Sequence, residues 1–250
     1  MKRFLALLLV GLPCAAAAAD ADALIRDALA AEARLDSRAA LQLFLAAGRA
    51  RPDNVFILQK IARQYSDLVV DLGSDLEKRQ SLDNALRYAQ HAVEIDPKDA
   101  VSVLSLAVCH GKLAEISGAR DKVFYSRLVK EEADRALALD PGYAWAHHVL
   151  GRWNCEAAAL GAGTRVFVRF FYGGLPEATL QQGIDHLQRA VALEPGQLEH
   201  HLELGLAYLA AGRKPEARAS LEHGLAMPSR EKHDEAAKAR ARAALAGITD

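Results

Sequence analysis

Proline and cysteine are scarce in this 250-residue chain, with 8 and 3 copies, while glycine, with 17, is no more than ordinary. Few helix breakers amid abundant Ala and Leu favour helix throughout. No block of basic residues marks a nucleic-acid face, and no acidic tail is present. The formal net charge is −1, so mean charge points to no electrostatically driven partner. No G-x-S-x-G, H-E-x-x-H, C-x-x-C or P-loop occurs. Gly161-Ala162-Gly163 lacks the third Gly and the preceding strand of a dinucleotide site. His147-His148 and His200-His201 are adjacent pairs, and neighbours on a helix point about 100° apart, so one pair rarely supplies two metal ligands. His147 and His201 read as packing residues. Nothing assembles a nucleophile, a base and an orienting group. The sequence predicts no enzyme, no cofactor and no metal.

A long hydrophobic run is missing too. Residues 4–19 form 16 apolar residues, short of the roughly 20 that a spanning helix needs. Lys2 and Arg3 precede a compact run to Leu12, Pro13 breaks it, and Ala17-Ala18-Ala19 precedes Asp20. That order reads as a secretory signal over 1–19, cut after Ala19, on a periplasmic or secreted protein. Pro13 makes Cys14 a poor lipoprotein site. Removing the signal lowers the basic residues from 31 to 29 against 32 acidic ones, a net charge of −3. An oxidising compartment permits a Cys109–Cys155 disulfide. Repeat alignment sets the two cysteines two positions apart on neighbouring helices, about 200° of rotation, which argues against the bond.

What the chain does have is a repeat. In 201–228, Leu204-Gly205 and Tyr208, then Ala217 and Leu221, then Pro228 match the L-G-x2-Y, A-x3-F and closing Pro of a tetratricopeptide repeat. Gly205 and Ala217 let two helices approach, and Leu204, Tyr208 and Leu221 fill the space between. Four further units carry Ala40/Phe44/Ala47/Pro52, Ala85/Ala89/Ala92/Pro97, Ala133/Ala136/Pro141 and Gly183/Leu187/Ala190/Pro195. Each Pro is expected to begin the next first-arm helix, where its missing N–H costs nothing. The fold expected over 20–250 is all-α: a superhelix of five helical hairpins ending in a polar-faced capping helix after Pro228. Pro-to-Pro spacings are 45, 44, 54 and 33. Against a plain repeat of about 34, the second and third hairpins are stretched, the expectation being that both arms lengthen. The fourth carries an insert.

The stretched hairpins resemble the regulator of microtubule dynamics family over about 55–245. KIARQYSDL (60–68), ALDPGYAWAHHVLGRWNCEAAAL (138–160) and RVFVRFFYGGLPEATLQQGIDHLQRAVALEP (165–195) carry the resemblance. It implies an all-α repeat scaffold without catalysis. Eukaryotic members are linked to microtubules and membrane contact sites, and some such domains bind phospholipid. The N-terminus departs from those members, since it reads as a bacterial export signal and not as an organelle anchor.

First-arm helices line the concave side of such a solenoid. The inner positions are Phe56, Gln59 and Arg63 in the second hairpin, and Val101, Leu104 and Val108 in the third. The fourth gives Trp145, His148, Arg152 and Glu156; the fifth gives Glu199, Leu202, Leu206 and Leu209. Arg63, His148 and Arg152 are cationic or polar stations between apolar walls. The two arginines fit an anionic group bidentately, or they pair with Asp67 and Glu156 four residues on. The insert RVFVRFFYGG holds three of the seven Phe. It is expected to fold over the concave face, with Phe167, Phe170 and Phe171 meeting Leu202, Leu206 and Leu209. A membrane contact and an exposed partner site are the other readings. Two functions follow: a scaffold for a protein or peptide partner, or a carrier of phospholipid or another amphiphile in an apolar slot under 165–172. The sequence leaves the oligomeric state open.

Overall fold

We obtained the structure as a computed structural model, which describes the backbone of residues 12–248 and the side chains of residues 20–248. The described residues form twelve α-helices and no strand. Five hairpins follow one another: α1 (Leu12–Ala33) with α2 (Ser37–Ala50), α3 (Val55–Asp67) with α4 (Asp75–Ile95), α5 (Ala100–Glu115) with α6 (Ala119–Leu139), α7 (Ala144–Ala158) with α9 (Leu180–Leu193), and α10 (Leu198–Ala210) with α11 (Lys214–Ala226). The helix α8 (Ala162–Tyr172) interrupts the fourth, and α12 (Asp234–Ala246) caps the end. Each hairpin packs on the next, and the first arms α3, α5, α7 and α10 also touch in succession, which makes theirs the inner face. Most of the expected signal segment lies outside the described residues. α1 runs without a break past Ala19.

Small second-arm residues are what allow the stacking. Ala40, Phe44, Ala47, Ala85, Ala89, Ala92, Ala133, Ala136, Ala190, Ala217 and Leu221 are all fully buried, as the repeat pattern predicts. The closest approach is between α7 and α9. A methyl group built on Gly151 would stand 2.5 Å from Leu187 Cγ and 3.1 Å from the Gly183 carbonyl oxygen, so only glycine fits there unchanged. Gly205 has the same role against Leu221, 2.6 Å away.

The prolines act differently from the expectation. Pro52, Pro97, Pro141 and Pro195 lie three residues before α3, α5, α7 and α10, not at their first turns. Each follows directly on the C-cap of the preceding second arm. Those C-caps are Arg51, Asp96, Asp140 and Glu194, with φ of −136°, −129°, −136° and −130°. Pro disfavours helical backbone in the residue before it, so it stops one arm and leaves the start of the next to others. Asn54 and Asp99 take over there, accepting the backbone N–H of Ile57 at 3.1 Å and of Ser102 at 2.8 Å.

The stretch in the second and third hairpins also falls unevenly. The first arms hold 13 and 16 residues and the second arms 21 each. Ser74 and Glu77 form a capping box that starts α4 early. A 3-10 turn, Leu68–Asp71, takes up the rest.

The insert does not cover the groove. α8 packs beside α6, where the Arg127 guanidinium donates from Nε to the Gly174 carbonyl at 2.8 Å and from a second nitrogen to the Tyr172 carbonyl. The Tyr172 carbonyl is the last of α8 and lacks an intrahelical partner, the Gly174 carbonyl belongs to the turn that follows, and Arg127 fixes the helix end through both. Gly173 and Gly174 turn the chain away with φ of 78° and 84°. Val168 alone in α8 is buried. Phe167, Phe170 and Phe171 are 47%, 81% and 61% exposed, and none of them meets Leu202, Leu206 or Leu209 as expected.

Candidate functional site

The inner face brings most of the predicted residues onto one surface. On α3, Phe56 is exposed, with the Lys60 ammonium 5.7 Å from its ring. Gln59 is spent on structure: its amide donates to Asp99 at 2.5 Å and to Ser102 Oγ at 2.9 Å, tying α3 to α5. On α5, Val101 and Val108 are exposed, while Leu104 is buried.

On α7 the predicted residues separate. Trp145 is half-buried, its ring centre 5.1 Å from that of His148 and 4.8 Å from that of His200. His148 does not face the groove. It is buried with its Nδ1 3.0 Å from Nδ1 of His200, so one ring donates and the other accepts. Burial holds His148 neutral, far below the usual imidazole range, and pushes His200 down to about 4. On α10, Leu202 is core and not a groove wall, because it packs under Gly224. Leu206 and Leu209 are half-buried against the same cluster.

Both arginines are already paired, and with more partners than local spacing provides. Arg63 lies 3.6 Å from Asp67 and 3.4 Å from Glu32, and it also binds Glu231. Lys60 meets Glu32 at 2.7 Å. Asp67 accepts from His233 at 3.1 Å, and Lys112 donates to the Ser66 carbonyl at 2.8 Å. Lys232 meets Asp71 at 3.0 Å. Burial works against charge on both Arg63 and Asp67, but the neighbouring opposite charges prevail. They hold the guanidinium pKa above its usual value and the Asp67 carboxyl below. The segment 228–233 therefore crosses from the last hairpin to the second. Sequence reading missed Glu231, His233, Lys112 and Glu32, and no periodic signal could have found a contact between residues 168 positions apart.

A second cluster sits lower on the face. Arg152 reaches Glu156 at 3.1 Å and Glu203 at 3.9 Å, and Arg240 of α12 reaches Glu203 at 2.6 Å. Beside it an open hollow of about 210 Å³ is lined by Arg152, Cys155, Leu187, Glu203 and Leu206 among others. A larger hollow of about 320 Å³ is lined by residues of α4 only, including Tyr88 and His91, where no second element converges.

The remaining titratable groups read as structure. His147 and His201 each direct Nε2 at the carbonyl of the preceding repeat proline, Pro141 at 3.3 Å and Pro195 at 2.9 Å. Among the described residues no three His, Cys, Asp or Glu gather as a metal site. Cys109 and Cys155 are free thiols, which burial pushes up to about 12 and about 11.

Comparison with known proteins agrees with this architecture. The chain is 25% identical over 196 residues to Regulator of microtubule dynamics protein 1 of Bos taurus, covering 78% of this chain and 62% of that protein. It is 28% identical over 144 residues to Regulator of microtubule dynamics protein 3 of Xenopus laevis, covering 58% of this chain and 31% of that protein. The chain thus spans 31 to 62% of the length of these two relatives. Among solved structures, a thermophilic TPR protein of Thermus thermophilus superposes with a TM-score of 0.67 at 21% identity, covering 90% of this chain and 99% of that one, a likeness of fold alone. The family model for Regulator of microtubule dynamics protein 1-3 matches residues 21–249, nearly the whole chain, and the chain belongs to that family.

Proposed function

We propose that this protein is a non-catalytic scaffold that binds a protein or peptide partner along the face lined by α3, α5 and α7. One observation carries the reading. Phe56, Val101 and Val108, at 43%, 41% and 37% exposure, stand on successive first arms beside half-buried Trp145. Apolar and aromatic anchors in a concave repeat surface suit a partner chain. Arg63 and Arg152 already hold carboxylates of this chain, which supports an apolar-anchored partner over an anionic head group. Lys2, Arg3 and the Ala19 site support export of the scaffold, with a mature chain starting in α1 at Asp20.

Photo-crosslinkers at Val101 and Val108, compared with one at exposed Gln90 of α4, test the reading in cells producing the protein. Partner adducts should form from α5 alone. Equal adducts from α4 would refute it.

A second reading rests on the hollow between α7 and α10, not on a slot under α8, since α8 lies elsewhere. Its apolar wall of Leu187 and Leu206 with Arg152 and Glu203 suits a small amphiphile, phospholipid included. Native mass spectrometry would show a retained lipid, and Arg152→Ala would weaken its retention. Protein purified free of lipid would end that reading.

A further inference from the structure

The least accounted-for surface is the insert helix α8. It stands outside the core, joined to it by Val168 and by the Arg127 bonds to its last carbonyls. Its exposed side includes Val166, Phe167, Phe170 and Phe171, at 68%, 47%, 81% and 61% exposure. At about 100° per residue these four cover one continuous arc of about 140°, with Val168 outside it on the protein side. The rings touch one another: Phe167 and Phe171 at 4.6 Å between centres, Phe170 and Phe171 at 5.0 Å. Phe124 of α6, one turn before Arg127 on the same side of that helix, is 55% exposed. Scattered apolar residues on a surface are ordinary, but a contiguous aromatic face is a contact site.

Charge identifies the occupant. Between Glu156 and Glu177 the only charged residues are Arg165 and Arg169. Both are exposed, and neither has an ion pair among the described residues. Arg165 donates to the Ala158 carbonyl at 2.6 Å. Arg169 lies about 60° round the helix from Val166, at the edge of the apolar arc. A long cationic side chain at that edge reaches phosphates while the rings enter the acyl boundary.

We propose that α8 docks the protein on a bilayer surface that carries anionic lipid, lying in the interface with Phe167, Phe170 and Phe171 inserted and Arg169 at the phosphates, while Arg165 stays on the far side of the helix with the Ala158 carbonyl. The helix is about 16 Å long, too short to span, and no described helix is long and apolar enough to cross a membrane. One short helix gives reversible binding, weakened by salt. Docking through α8 does not compete for Phe56, Val101 and Val108 on α3 and α5, because α8 packs on α6.

The test uses the full chain with phosphatidylcholine vesicles, with and without phosphatidylglycerol. Amide hydrogen exchange over 162–172 reports on α8 itself, independently of any vesicle contact made by other segments. The expected result is slowed exchange there with phosphatidylglycerol vesicles and little change with neutral ones. The double substitution Phe170→Ser/Phe171→Ser, at exposed positions, should abolish that protection and lower vesicle affinity by about tenfold or more. Arg169→Glu should weaken binding in low salt and have little effect in high salt. Exchange over 162–172 that ignores anionic vesicles would overturn the proposal, as would equal protection on neutral ones. A concentration-dependent dimer in sedimentation, removed by the Phe double substitution while vesicles give no protection, would assign the face to a second copy and overturn it equally.

Discussion

Where α7 and α9 meet, the structure makes a quantitative prediction that can fail. Leu187 is 1% exposed, and its Cγ lies 2.5 Å from the point where a Gly151 methyl would stand. Leu187→Ala removes that branch and leaves a cavity, at a cost of about 2–5 kcal/mol. Gly151→Ala alone forces the methyl onto Leu187. Overpacking costs about 1–3 kcal/mol, against about 1 kcal/mol gained in helix propensity. In the double variant the new methyl enters the space that Leu187 vacates, which removes its two nearest contacts and leaves the 3.1 Å approach to the Gly183 carbonyl oxygen. The two substitutions should therefore couple favourably, the double variant being more stable than the sum predicts by about 1–2 kcal/mol. Urea unfolding followed by far-ultraviolet circular dichroism on the four proteins measures this. Additivity within about 0.5 kcal/mol would refute the packing described for this hairpin.

Other consequences are simpler to state. His200 is pushed down to about 4 in the fold against an ordinary value near 6.5, so the unfolded chain binds the extra proton first. Stability should fall as pH drops from about 6.5 toward 4, by up to about 3 kcal/mol from this group, and His200→Gln should flatten that slope in urea midpoints taken across the range. Asp67 is held below its usual value, so its contribution is complete above about pH 4 and is lost only at more acid pH. Asp67→Asn should remove it and loosen the 228–233 segment, seen as faster amide exchange there. Cys109 should resist maleimide at pH 8 in the native protein and react after unfolding, because burial pushes its thiol up to about 12. Labelling at the native rate of an exposed thiol would contradict the burial.

The repeat was legible because it is local. Ala, Leu and Pro positions a few residues apart dictate a hairpin, and all five hairpins stand where the closing prolines set them. The role of each proline was not legible. It acts through the backbone of the residue before it, and motif spacing carries no sign of which helix it serves. The insert was misplaced for a similar reason. Its apolar pattern says that one face seeks apolar surroundings but not where they are, and the Arg127 bonds that hold it to α6 come from 45 residues upstream. In the candidate site, Phe56, Arg63 and Trp145 stand on the first arms α3 and α7, which are linked through α5. His148 is instead drawn inward where α7 meets His200 of α10, and Leu202 where α10 meets Gly224 of α11. Periodicity fixes a side of a helix. It does not tell whether the next helix covers that side.

The most direct test of the whole arrangement is the crossing of the concave face by 228–233. With the native cysteines replaced, Arg63→Cys and Glu231→Cys can be probed with a short bismaleimide and the product mapped by mass spectrometry. A stack of five hairpins curled as described joins these two positions within one molecule, with Gln90→Cys and Glu231→Cys left unjoined. Absence of the 63–231 product, or its equal yield from the 90–231 pair, would contradict the account.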